Sequence, residues 1–187
     1  MNLPNKLTMA RVAMVPFFAA AAALAARGHT RVWYMTAGLI FAFASVTDLV
    51  DGKIARKYHL VTNLGKFADP LADKILTTAA FLYMQREGVC GPLVLLVILT
   101  REFAVSGLRM MAAVNGRDGV IAANIWGKVK TVLQMVTVLF FYFGCALLPW
   151  TEAVRSLSVV LCWACALATL VSGVLYFLEN LDFLGED

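Results

Sequence analysis

Charge is scarce in this 187-residue chain: 16 Lys+Arg and 12 Asp+Glu make up only 15% of it. A soluble domain usually carries about 25% charged residues. That shortage excludes a water-soluble globule, and the abundance of apolar residues excludes intrinsic disorder. Cysteine is scarce too. The four present, Cys90, Cys145, Cys162 and Cys165, form no secreted disulfide framework. Cys162 and Cys165 have C-x-x-C spacing but lie inside the apolar run Val159–Val171. They read as small buried residues rather than a redox or zinc pair. No repeat, low-complexity tract or long polar linker is visible, so the connections leave no room for a soluble domain. A cleavable leader is not expected either: Val12–Ala26 reads as a first anchor, because more apolar segments follow it.

Apolar residues fill the space. They form 61% of the chain, about 114 residues, and the mean hydropathy is +0.78. At ~20 residues per transmembrane helix this suffices for roughly six spans. Breaks in the apolar runs place them at about Thr8–Ala26, Val32–Arg56, Pro70–Met84, Pro92–Val114, Asn124–Leu148 and Val154–Leu178. Lys57–Lys66 is expected to be a polar connection, and Asn115–Gly119 is the clearest turn cluster. The expected fold is all-α: one polytopic membrane domain over residues 1–187, with six transmembrane helices.

An even number of spans puts both termini on one side. That side collects twelve cations: Lys6, Arg11, Lys53, Arg56, Lys57, Lys66, Lys74, Arg101, Arg109, Arg117, Lys128 and Lys130. The opposite side has four, Arg27, Arg31, Arg86 and Arg155. The positive-inside rule makes the richer side, and both termini, cytoplasmic. The net charge of +4 then reflects topology, and no nucleic-acid partner is expected. Trp33, Trp126 and Trp150 suit interfacial positions, whereas Trp163 reads as packing.

The little charge that exists is concentrated. Asp48, Asp51, Gly52, Ala55 and Arg56 fall on one face of a helix at the end of the second span. Gly65, Asp69 and Asp73, at steps of four, open the third. Pro70 suits a first helical position with Asp69 as its N-cap. Four carboxylates at a membrane edge repel one another, so without a cation at least one must keep a proton. A hard divalent cation, Mg²⁺, Mn²⁺ or Ca²⁺, removes the conflict. Gly52, Ala55 and Gly65 clear space beside the carboxylates, and Arg56 offers a fork for phosphate. Together these residues describe a metal-assisted diphosphate site.

The pattern D-x2-D-G-x2-A-R-x8-G-x3-D-x3-D over Asp48–Asp73 resembles the signature of the CDP-alcohol phosphotransferase family, and every fixed position matches. The resemblance implies a phosphatidyltransferase in which an alcohol hydroxyl attacks the lipid-bearing phosphate of CDP-diacylglycerol and CMP leaves. It implies two divalent ions, Mg²⁺ or Mn²⁺, held by Asp48, Asp51 and Asp69. Asp73 would also touch a metal and serve as general base. Gly52, Ala55 and Arg56, with Gly65, would hold the cytidine diphosphate part of the donor. A homodimer in the cytoplasmic membrane of a bacterium, its active site facing the cytoplasm, is implied as well.

The acceptor is sought in the remaining charge. Arg101 and Arg109 on the fourth span, and Lys128 and Lys130 on the fifth, suit an acceptor that is itself a phosphate. Lys128 and Lys130 could equally be snorkelling to headgroups. The start Asn2-Leu3-Pro4-Asn5-Lys6-Leu7-Thr8-Met9-Ala10-Arg11 and the stretches Thr100-Arg101-Glu102 and Gly127-Lys128-Val129-Lys130-Thr131 are similar to the branch of the family using glycerol 3-phosphate. By that similarity Arg101, Arg109, Lys128 and Lys130 meet the acceptor phosphate, and Asn5 and Thr8 lie near the cytidine diphosphate. Inositol phosphate, serine or phosphatidylglycerol as acceptor stays open. A divalent-cation transporter is the alternative from another class. Against it, no repeat is visible and the Asp cluster lies at one face of the membrane.

Overall fold

A computed structural model describes the backbone of residues 3–57, 63–114, 125–148 and 152–179. It describes the side chains of these residues except 3–7, 49–57, 63–70, 73, 110 and 112–114. The described residues form six helices: α1 Leu3–Gly28, α2 Arg31–Lys57, α3 Asn63–Arg86, α4 Pro92–Val114, α5 Ile125–Leu147 and α6 Glu152–Leu178. Three stretches, Thr8–Gly28, Ile125–Leu147 and Glu152–Leu178, are long and apolar enough to cross a membrane by length and composition. Large apolar side chains line the outside, among them Phe17, Phe43, Leu96, Phe103, Val160 and Leu167. Water would not tolerate so much exposed apolar surface, whereas lipid does. The chain is an all-α, multi-pass membrane protein.

The start of α3 and the placement of Trp163 differ from what the sequence predicts. α3 begins at Asn63 and passes through Pro70 without a break, so Asp69 is not an N-cap and residues 63–66 are helix rather than connection. A membrane-proximal helix keeps its backbone groups bonded within itself, and neighbouring groups can satisfy the carbonyl that a proline frees. As a result positions 65, 69 and 73 follow one face of a continuous helix. Trp163 is also corrected: it is 47% exposed on α6, because the buried stripe of that helix runs through Cys162, Cys165, Ala166 and Thr169 instead. The buried, unbridged state of all four cysteines agrees with their reading as packing residues. The turn cluster Asn115–Gly119 and Trp150 lie outside the described residues.

α1 packs broadly against both α2 and α3, and α5 against both α2 and α6, while α4 rests on α6. Direct contact between α2 and α3 is slight among the described residues, so α1 is the element that relates the two Asp-bearing helices. Small buried residues allow close approach: Ala21, Ala22 and Ala25 on α1, Ala37 and Ala44 on α2. Gly38 brings α2 onto α5, where an added Cβ would meet Phe143 at 3.2 Å. An aromatic cluster locks this centre. Phe18 meets Phe41 at 6.0 Å and Tyr142 edge-on at 5.4 Å, and Tyr142 meets Phe141 at 5.0 Å. At the end away from the Asp-bearing segments, Tyr34 donates to Glu87 Oε1 at 3.1 Å, tying α2 to the turn after α3.

Candidate active site

The site is built from charged side chains that apolar helices hold inward. Arg11 lies on α1 and is only 1% exposed, yet its Nη1 is 2.7 Å from Asp48 Oδ1 on α2. The pair sits two turns from the Phe18–Phe41 contact along both helices, so the antiparallel packing of α1 and α2 fixes its register. Thr8, one turn before Arg11, is buried on the same face of α1. Asp48 keeps 37% of its side chain exposed, which leaves carboxylate surface accessible beside the arginine. Sequence similarity puts Arg11 in the N-terminal motif but assigns it no role. The available signal is a guanidinium inside a helix that is largely apolar.

Asp51, Gly52, Ala55, Arg56, Gly65, Asp69 and Asp73, and the side chain of Asn5, lie outside the described side chains. The backbone puts Asp51 one turn beyond Asp48 on α2, and Asp69 and Asp73 one turn apart on α3. Among the described residues no three His, Cys, Asp or Glu side chains stand together. The chemistry of the set nevertheless fits a hard divalent cation: all four ligand candidates are carboxylates, and Asp48 is partly open to solvent.

The second group of charges joins α3, α4 and α5. Glu102 accepts a hydrogen bond from Lys130, and both side chains are largely buried. Arg101 Nη1 lies 3.8 Å from the same Glu102 oxygen. Lys74 Nζ donates to the Glu102 backbone oxygen at 3.3 Å and to Ser106 Oγ, which ties α3 to α4 one residue after Asp73. A cavity lined by Lys74, Thr77, Thr78, Glu102, Lys130 and Gln134 adjoins the pair. Lys130 is therefore an interior ion-pair partner, whereas Lys128 is exposed.

The two arginines of α4 both reach α6. Arg101 Nη2 donates to Ser172 Oγ at 2.7 Å, and Arg109 Nε donates to Tyr176 Oη at 3.2 Å. The pairs advance in the same direction on both helices, so α4 and α6 run parallel. Of the four cations that the sequence similarity assigns to the acceptor, Arg101 and Lys130 thus meet at Glu102, while Arg109, exposed, is held to α6 through Tyr176. Sequence alone assigns no role to Ser172 or Tyr176, and none to Glu102 beyond its place in the Thr100-Arg101-Glu102 stretch. A serine and a tyrosine at i, i+4 on an apolar span were the only hint.

A family model described as CDP-alcohol phosphatidyltransferase matches residues 1–171. The chain belongs to this family. Full-length relatives agree. A Bacillus subtilis protein named CDP-diacylglycerol--glycerol-3-phosphate 3-phosphatidyltransferase is 39% identical, the alignment covering 98% of this chain and 97% of that one. A Mycobacterium tuberculosis protein named probable phosphatidylglycerophosphate synthase is 38% identical over 98% of this chain and 84% of its own. A Haemophilus influenzae protein with the same name as the Bacillus one is 32% identical over 94% and 91%. Asp48 and its partner Arg11 both fall within the CDP-alcohol phosphatidyltransferase match, as does the Glu102–Lys130 pair.

Proposed function

We propose that the chain transfers the phosphatidyl group of CDP-diacylglycerol to sn-glycerol 3-phosphate, giving phosphatidylglycerol phosphate and CMP. The observation that carries this reading is similarity along nearly the whole chain to relatives named for that reaction, with every fixed position of the Asp motif present.

In this reading Asp48, Asp51, Asp69 and Asp73 would hold two divalent ions, Mg²⁺ or Mn²⁺. Such ions, when bound, neutralise the diphosphate and make its phosphorus more electrophilic. Gly52, Ala55, Arg56 and Gly65, with Asn5 and Thr8 nearby, bind the cytidine diphosphate part of the donor. Arg11 keeps Asp48 in one orientation. Arg101 and Arg109, with Lys128 at the rim, bind the acceptor phosphate, and Lys130 contributes from its pair with Glu102. The acceptor hydroxyl oxygen forms a bond to the lipid-bearing phosphorus, and the bond from that phosphorus to the CMP oxygen breaks. Asp73 takes the hydroxyl proton, which a carboxylate within hydrogen-bond reach can do as the oxygen attacks.

The whole chain acts as one domain with six spans, its termini and site on the cytoplasmic side of a bacterial inner membrane. The charge bias of twelve cations against four supports that orientation. Assembly as a homodimer follows the family resemblance. The test is CMP release by the purified protein from CDP-diacylglycerol with Mg²⁺ or Mn²⁺ and a panel of acceptors. Release with glycerol 3-phosphate is expected. Release only with inositol phosphate, serine or phosphatidylglycerol would overturn the acceptor assignment, and none with any acceptor would overturn the transferase.

A further inference from the structure

Three adjoining residues of α6 support the α4 arginines from behind. Ser172 and Tyr176 are buried, one turn apart. Besides the two hydrogen bonds, the Arg109 guanidinium lies 5.5 Å above the centre of the Tyr176 ring, a cation–π distance. Gly173 lies between them in sequence, and an added Cβ there would come within 3.0 Å of Arg101 Cγ. The arginine stem therefore runs directly over the glycine backbone. The family match ends at residue 171, just before this segment.

The nature of the supports matters. Lys130 is held by a carboxylate, which satisfies its charge. Ser172 and Tyr176 are neutral, so they fix the arginines without cancelling them. Each hydrogen bond uses one N–H of a guanidinium that has five. Arg101 Nε, buried, has no hydrogen-bond partner among the described residues. Arg101 also has the Glu102 carboxylate 3.8 Å away, but that carboxylate is already shared with Lys130. Two guanidiniums anchored by neutral groups are pre-organised for a dianion, since little of their freedom is left to lose on binding.

We propose that Ser172, Gly173 and Tyr176 are positioning residues that set the preference for a phosphorylated alcohol, acting through Arg101 and Arg109. The inference rests on the reading of those arginines as ligands of the acceptor phosphate.

The experiment compares KM for glycerol 3-phosphate and for CDP-diacylglycerol in the full chain in lipid nanodiscs. Ser172→Ala and Tyr176→Phe should each raise the acceptor KM about five- to tenfold, as expected when a hydrogen bond to a charged group is lost. The donor KM should stay within about twofold. Ser172→Thr, which keeps a hydroxyl, should restore most of the acceptor affinity. Gly173→Ala alters no hydrogen-bonding group and should raise the acceptor KM by displacing Arg101. In an Arg101→Ala background, Ser172→Ala should add nothing further. Unchanged acceptor KM in Ser172→Ala, Tyr176→Phe and Gly173→Ala, alongside a raised one in Arg101→Ala and Arg109→Ala, overturns this inference alone. Unchanged acceptor KM in the two arginine variants overturns the acceptor reading, and the inference with it.

Discussion

Arg11 on α1 and Asp48 on α2 form a 2.7 Å ion pair in which the arginine is almost wholly enclosed. The pair links a helix without acidic residues to the first carboxylate of the Asp motif. Removing the guanidinium takes away the contact that holds Asp48 Oδ1. Arg11→Ala should lower the rate of CMP release about 10- to 100-fold, the usual loss when a residue orienting a metal ligand is removed. Arg11→Lys, which keeps the charge but not the fork, should fall between. Wild-type rates in Arg11→Ala would remove Arg11 from the site.

Asp73 is the base in the proposed mechanism. Asp73→Asn should nearly abolish turnover while metal-dependent binding of CDP-diacylglycerol, followed by equilibrium binding of labelled donor, is partly kept. Undiminished turnover would take that role from Asp73.

Lys130 is paired with Glu102 in the interior. Glu102→Gln leaves a buried ammonium without its counter-charge, a change that costs about 3–5 kcal/mol in buried pairs. The thermal unfolding midpoint in detergent should drop by several degrees. A Glu102→Gln, Lys130→Met double variant should recover much of the loss. Equal midpoints for Glu102→Gln and wild type would show that the pair holds nothing together.

Orientation can be read by cysteine labelling, since all four native cysteines are buried. Arg155→Cys, on the cation-poor side, should react with a membrane-impermeant maleimide in intact cells. Lys128→Cys should react only after the membrane is permeabilised. The reverse pattern would invert the topology.

Much of this architecture was legible beforehand. Runs such as Leu93–Leu99 and Val138–Phe143 mark spans because lipid demands apolar helix, and the observed α4 matches its expected bounds, Pro92–Val114. Local rules failed at Pro70, where the proline that suggested a helix start lies inside α3. Trp163 was misplaced because an apolar span looks alike on every side; only packing decides which face lipid meets. The Asp stripe showed itself through spacing within single helices. Arg11–Asp48, Glu102–Lys130 and Arg101–Ser172 did not, because each joins residues from different helices. Their pairing depends on how the helices pack, which no local pattern encodes.

The most direct test follows the acceptor atoms themselves. Purified protein is given CDP-diacylglycerol, Mg²⁺ and radiolabelled glycerol 3-phosphate, and the organic phase is counted beside the CMP released. Label should enter a lipid carrying two phosphates, mole for mole with CMP, and Asp48→Ala should abolish both. CMP release without labelled lipid, or full transfer by Asp48→Ala, would contradict the account.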